Sequence, residues 1–224
     1  MAEDARSAIL GGLRKALDTG AGRAEAVDRR LAERPRGTVP SRGLVPAWRR
    51  ADLFAEMAQG VGATVERVGA ASRVPHAIAD YLAAHNLPAR LRLAPDPELL
   101  SLPWDRRPTL EVTAGRAEPD DIVSVTPALA GIAETGTLLA ASGPGHPTTL
   151  NFLPAIHIVV LHADRVVGTY EEAWERLREA GAMPRTANLI TGPSRTGDIE
   201  QTIFLHAHGP GRLHIVLVDG TAHG

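Results

Sequence analysis

Ile156-His157-Ile158-Val159-Val160-Leu161-His162 is the stretch that decides the fold. An apolar run this short, rich in β-branched residues and ended by histidines, reads as a buried strand. Residues 122–126, 136–141, 188–191 and 213–218 have the same strand-like character, and 109–112 precedes them. Between them, residues 170–180 form an amphipathic helix, with Tyr170, Ala173, Trp174 and Leu177 at three-to-four spacing. Upstream, 48–60 and 74–86 read as helices, the second with Pro75 suited to its first turn. Residues 63–68 and 91–93 read as short strands, and the proline-rich 94–108 as loop with about one turn of helix. Strands alternating with helices predict an α/β fold, a mostly parallel sheet with helices on both faces.

Ahead of this pattern stand N-terminal helices, at 2–17 and 24–33, and then an arm, 34–43, marked by prolines and glycines. The expected division is therefore a helical segment with its arm at 1–43 and an α/β domain at 44–224.

Composition narrows the chemistry. The chain has 224 residues, a net charge of −2 and no cysteine. The charge points to no nucleic acid and no acidic membrane surface. Without cysteine there are no disulfides, thiolate nucleophiles or cysteine-held iron–sulfur clusters. Lys15 is the sole lysine, and it lies in a charged helical stretch, which disfavours Schiff-base or P-loop roles. The start lacks a cationic segment and an apolar core, and no apolar run is long enough to span a bilayer, so a cytoplasmic, soluble protein is expected. Dinucleotide, Walker, nucleophile-elbow and HExxH motifs are missing.

Two pieces concentrate glycine, hydroxyl, carboxylate and arginine at the mouths of strands. In Ala133-Glu134-Thr135-Gly136-Thr137-Leu138, Glu134 is either a nucleophile or general base beside a glycine that admits substrate, or a turn glutamate that is solvated or caps a neighbouring helix. In residues 191–201, a strand meets Gly192-Pro193-Ser194-Arg195-Thr196-Gly197, and Asp198-Ile199-Glu200-Gln201 reads as a first helical turn. Backbone amides and Arg195 there could hold a carboxylate or phosphate, or Ser194 or Thr196 could simply cap the helix while Asp198 favours its dipole. His206 and His208 share one face if extended, yet a lone His-x-His is more often structural than metal-binding, and no metal site is expected. His157 and His162 read as hydrogen-bonded core or rim residues.

These pieces, together with His208-Gly209-Pro210 and Leu213-His214, closely resemble the lactate-utilization protein C family, the LUD domain. The resemblance covers roughly residues 45–219 and is densest after Asp120; Gly197 and His206 depart from the family's pattern. It implies a fold like that of the ribose-5-phosphate isomerase and CoA-transferase group. It further implies a subunit without clusters of its own, working with iron–sulfur partner proteins to oxidise L-lactate to pyruvate. The candidate site is then Glu134, Asp198 and His208 for catalysis, with Gly136, Thr137, Gly192, Ser194, Arg195 and Thr196 binding a small anion. The alternative is a stand-alone enzyme acting on a CoA ester, sugar phosphate or folate-like substrate through Glu134.

Overall fold

The structure, a computed structural model, describes residues 2–17, 22–197, 203–205 and 209–220. By its internal contacts the chain divides into two units, Met1–Thr38 and Val39–Gly224. The first holds helices α1 (Ala2–Ala16) and α2 (Arg23–Glu33), and every side chain described in them is exposed. The second carries everything that follows. It takes in Gly43, which the sequence assigns to the arm; a side chain there would collide with Gly168 and Thr169.

The second unit is built on a six-stranded sheet in which every pairing is parallel. Its strands are β1 (Thr64–Val68), β2 (Arg90–Leu93), β3 (Glu111–Ala114), β4 (Val123–Pro127), β7 (Ile156–His162) and β12 (Arg212–Val218). They lie in the order β1-β12-β7-β4-β2-β3. All seven residues of β7 are buried, the signature of a central parallel strand covered on both faces.

Alternation along the strands sends two residue sets to opposite cores. Ile156, Ile158 and Val160 of β7 join Val216 and Val218 of β12 beneath helix α4 (Val74–Ala84), whose Ile78 and Leu82 are buried there, and α5 (Pro97–Leu100). On the other face Val159 and Leu161 join Leu213, Ile215 and Leu217 against Phe54 and Ala58 of α3 (Ala47–Gly60). Gly131 makes this possible, since a side chain there would strike Phe54 and Leu161.

A second sheet completes that face. Its strands are β5 (Ala130–Ile132), β6 (Thr137–Ala141), β8 (Val166–Val167) and β9 (Ala187–Ile190), in the order β8-β5-β6-β9. Parallel neighbours need long crossovers. Here the crossover from β4 to β7 supplies β5 and β6, and that from β7 to β12 supplies β8 and β9, so the two connections are stitched together by hydrogen bonds. Helix α6 (Tyr170–Glu179) packs Ala173 and Leu177 on the outer side of this sheet, against Ile132 and Leu139.

The α/β class, the parallel sheet and its helices on both faces agree with the sequence. The structure adds the second sheet and changes one local reading. Instead of running straight from a turn towards a helix, β10 (Arg195–Gly197) pairs antiparallel with β11 (Ile203–Leu205). The helical turn expected at 198–201 lies outside the described residues. Among the described residues no helix is long and apolar enough to cross a membrane.

Candidate functional site

Glu134 follows β5 and is 2% exposed. Its backbone amide donates to the Gly168 carbonyl at 3.1 Å, which fixes the turn beside α6. Its Oε1 then accepts from the Tyr170 backbone amide at 2.9 Å, while Oε2 is buried with no partner among the described residues. Tyr170 is the first residue of α6, so this carboxylate meets an amide with no acceptor inside the helix, at the positive end of its dipole. Two further side chains finish the same terminus. Thr169 Oγ1 accepts from the Glu172 amide at 3.3 Å, and Glu172 Oε2 accepts from the Gly168 amide at 2.7 Å. Glu172 is held in turn by Arg50 at 3.1 Å. Of the two roles open to Glu134 from sequence, the geometry builds the helix-capping one.

Gly136 has a different task from the one expected. Its φ is 66°, in the left-handed region, and a side chain there would run into the backbone of Met57 and Ala58. The space that sequence reasoning reserved for substrate is occupied by α3. Thr137 sits beneath the surface at the centre of a hydroxyl cluster. Its Oγ1 lies 2.7 Å from Thr135 Oγ1, 3.0 Å from the Tyr170 hydroxyl and 2.7 Å from Thr191 Oγ1. One hydroxyl can donate once and accept twice, so these three contacts use its full capacity. The cluster connects the α6 terminus to the wall of a cavity, which Thr191 lines.

That cavity, of about 250 Å³, lies at the amino ends of β7 and β12. Open α/β sheets usually bind ligands at the carboxyl ends of their strands, so the location departs from the common pattern. Gly192, Pro193 and Ser194 form one side, leaving β9; Gly209 and Pro210 form another, entering β12. The Ser194 amide donates to the Pro210 carbonyl at 2.8 Å and locks these two turns together. Gly192 has φ 71°, and a side chain there would press on the Val61 carbonyl. The glycine-proline turns noted in the sequence therefore do border a concave site.

Two buried polar residues that the sequence does not mark as functional also border it. Asn151 is 2% exposed, and its Oδ1 lies 2.9 Å from His146 Nε2. His157 is 1% exposed, and its Nε2 lies 2.8 Å from Thr126 Oγ1. Both line the cavity, and each retains a nitrogen, Asn151 Nδ2 and His157 Nδ1, with no partner among the described residues. Leaving such a group unmatched costs about 1–3 kcal/mol. Burial pushes the His157 pKa down to about 3, with His146 adding to the effect, so the imidazole is neutral at pH 7. His146 is lowered too, by its own burial. Among the described residues no ionised side chain lines this cavity.

Arg195 follows the lining residue Ser194 in the chain. It is exposed, its guanidinium lies over Gly62, and it has no ion-pair partner among the described residues. Of the other expected site residues, Thr196 is described only as backbone, within β10; Asp198 and His208 lie outside the described residues. His214 stacks on Tyr81 with ring centroids 3.8 Å apart and meets Thr64 Oγ1 at 2.8 Å. Burial pushes its pKa down to about 4, which suits a packing role. No group of three or more histidine, aspartate or glutamate side chains that could hold a metal is present among the described residues.

Comparison with known proteins places this site within a recognised segment. Residues 122–218 match the LUD domain. An uncharacterized protein of Neisseria meningitidis is 40% identical over 90 residues, 39% of this chain and 38% of that protein. Lactate utilization protein C of a Geobacillus species is 33% identical over 93 residues, 39% of each chain. The protein of the same name from Shouchella clausii is 29% identical over 119 residues, 52% of this chain and 51% of its own length. The chain thus aligns with about half or less of these relatives. A crystal structure of a DUF162 family protein from Deinococcus radiodurans shares the fold, with a TM-score of 0.59 at 24% identity, covering 78% of this chain and 99% of that one.

Proposed function

Residues 122–218 of this chain belong to the LUD domain family, and from that premise we propose that the protein acts in lactate utilization. In this reading it is a cytoplasmic subunit of a system that oxidises L-lactate to pyruvate together with iron–sulfur partner proteins. The observation that carries the reading is the segment shared with proteins named lactate utilization protein C. Composition adds to it: a chain with no cysteine has no thiolate for a cluster, so electrons leaving lactate would pass to clusters held elsewhere. Arg195, exposed and unpaired among the described residues, is the cation this reading assigns to a small carboxylate. Asp198 and His208 stay assigned to the same site as candidate acid–base groups.

Deletion of the gene should abolish or slow growth on L-lactate while leaving growth on glucose unchanged, and the intact gene should restore it. Equal growth of the deleted strain on L-lactate, in a background with no other lactate dehydrogenase, would remove the basis for the proposal. The rival reading, a stand-alone enzyme using Glu134 as nucleophile, gains no support from geometry. The Glu134 carboxylate is buried, is outside the cavity lining and is engaged by the α6 amide.

A further inference from the structure

We propose that a second cavity, at the carboxyl ends of β2 and β3, binds a small hydroxylated anion, its oxyanion held by Arg116 and its hydroxyl group by Nδ1 of His146. This cavity shares no lining residue with the one at the amino ends of β7 and β12. The inference goes beyond the lactate reading and does not depend on it. Three observations carry it.

The first is position. Pro95 follows β2, Gly115 and Arg116 follow β3, and Ser142 follows β6, so three strands end at one opening of about 380 Å³. The carboxyl ends of parallel strands are where open α/β sheets usually receive ligands. The turn from Gly143 to His146 forms another wall. It is closed by the His146 amide on the Gly143 carbonyl at 3.0 Å and the Gly143 amide on the His146 carbonyl at 3.3 Å.

The second observation is charge. Arg116 is exposed, makes no ion pair among the described residues, and stands in a lining that contains no carboxylate. Asp96, whose charge reaches His146, is outside that lining, and its Oδ1 is engaged by the Glu98 and Leu99 amides at 3.0 and 3.1 Å. A guanidinium so placed offers paired N–H donors to a carboxylate or a phosphate. Ser142 adds a hydroxyl: its Oγ accepts from the Thr186 amide at 2.9 Å, which leaves its proton free to donate.

The third observation is the state of the imidazole. His146 Nε2 lies 2.9 Å from Asn151 Oδ1, which can only accept, so Nε2 carries the proton and Nδ1 is an acceptor. Nδ1 makes no hydrogen bond among the described residues and is not sealed from solvent. Burial lowers the His146 pKa below its ordinary value, so the ring is neutral at pH 7. A ligand hydroxyl supplies the proton that Nδ1 can accept.

The test is calorimetric titration of the full-length protein at pH 7 with D-glycerate and glycerol 3-phosphate. Acetate and glycerol serve as probes that lack the hydroxyl group or the charge. At least one hydroxylated anion should bind in the millimolar range or tighter, and which of the two binds separates a carboxylate from a phosphate source. Arg116→Gln, at an exposed position that leaves the core intact, should weaken that anion about tenfold or more, and Arg195→Gln by less than about twofold. Acetate and glycerol should each bind about fivefold more weakly or worse, for want of one contact. Nitrogen NMR should show the Nε2–H tautomer of His146 and a shift of its Nδ1 resonance when the anion is added. The proposal is overturned if neither hydroxylated anion binds, if acetate or glycerol binds as tightly, or if Arg116→Gln leaves the affinity unchanged. It is equally overturned if binding is lost in Arg195→Gln instead, or if the Nδ1 resonance does not respond.

Discussion

Glu134→Ala is the perturbation that separates a capping carboxylate from a chemical one. In the fold, Oε1 receives the Tyr170 amide at 2.9 Å in a site only 2% exposed. A hydrogen bond to a charged group contributes about 1.5–3 kcal/mol. The dipole of α6 adds about 0.3–2 kcal/mol through the same contact, so the two overlap instead of summing. Alanine should therefore cost roughly 2–3 kcal/mol. Glu134→Gln keeps an acceptor oxygen for Tyr170 and should cost only about 1 kcal/mol. With a urea m-value of about 2–3 kcal/mol/M, the alanine variant should unfold about 1 M earlier, with an unchanged slope. Any growth defect of the alanine variant on L-lactate should be largely restored by glutamine, which caps but cannot act as a nucleophile or base. An alanine variant with the parental unfolding midpoint would refute this reasoning. Failure of glutamine to restore growth despite near-parental stability would move Glu134 back into the chemistry.

Other perturbations test the rest of the structure. Gly136→Ala combines a left-handed backbone with a collision against α3, and should cost about 3 kcal/mol or more or prevent folding. Gly143→Ala, with open space around it, should leave the thermal midpoint nearly unchanged. Phe54→Ala, emptying a fully buried site beside Gly131, should cost about 3–5 kcal/mol in urea unfolding. Acid should weaken the fold through His157 and His214, which are held neutral with pKa values of about 3 and about 4. Unfolded histidine titrates near about 6.5, so their stability is complete above that pH and is lost progressively as pH falls towards the folded values. Urea midpoints should drop between about pH 7 and pH 4.5, and His214→Gln should flatten part of that slope.

The parts legible in the sequence are those whose physics is local. β7 is read to its end residues because its apolar run is bounded on both sides, and α6 because its apolar residues recur at helical spacing. β5 and β8, of three and two residues, are too short to show any period and exist through pairing with each other. The second sheet could not be seen for that reason. Glu134 stands out in the sequence, but its role is set by an amide 36 residues away. The Thr169-x-x-Glu172 pattern was a usable local signal, a capping sequence just before an amphipathic helix. Asn151 and His157 were missed because the cavity is assembled from segments that converge only when β7 and β12 pair, setting His157 beside Leu213. A histidine buried near the start of an otherwise apolar run was the one available hint. The strand at Arg195–Gly197 was missed because it is set by antiparallel pairing with 203–205, which residue types alone do not reveal.

Under the proposed function, this chain serves L-lactate oxidation as a subunit among iron–sulfur partner proteins. The most direct measurement is affinity purification of the tagged full-length protein from cells grown on L-lactate, with the retained proteins assayed for L-lactate oxidation with an artificial electron acceptor. Co-purifying iron–sulfur proteins are expected, together with an activity that the tagged protein by itself lacks. A protein that emerges alone, with the lactate-oxidising activity left entirely in the unbound fraction, would contradict it.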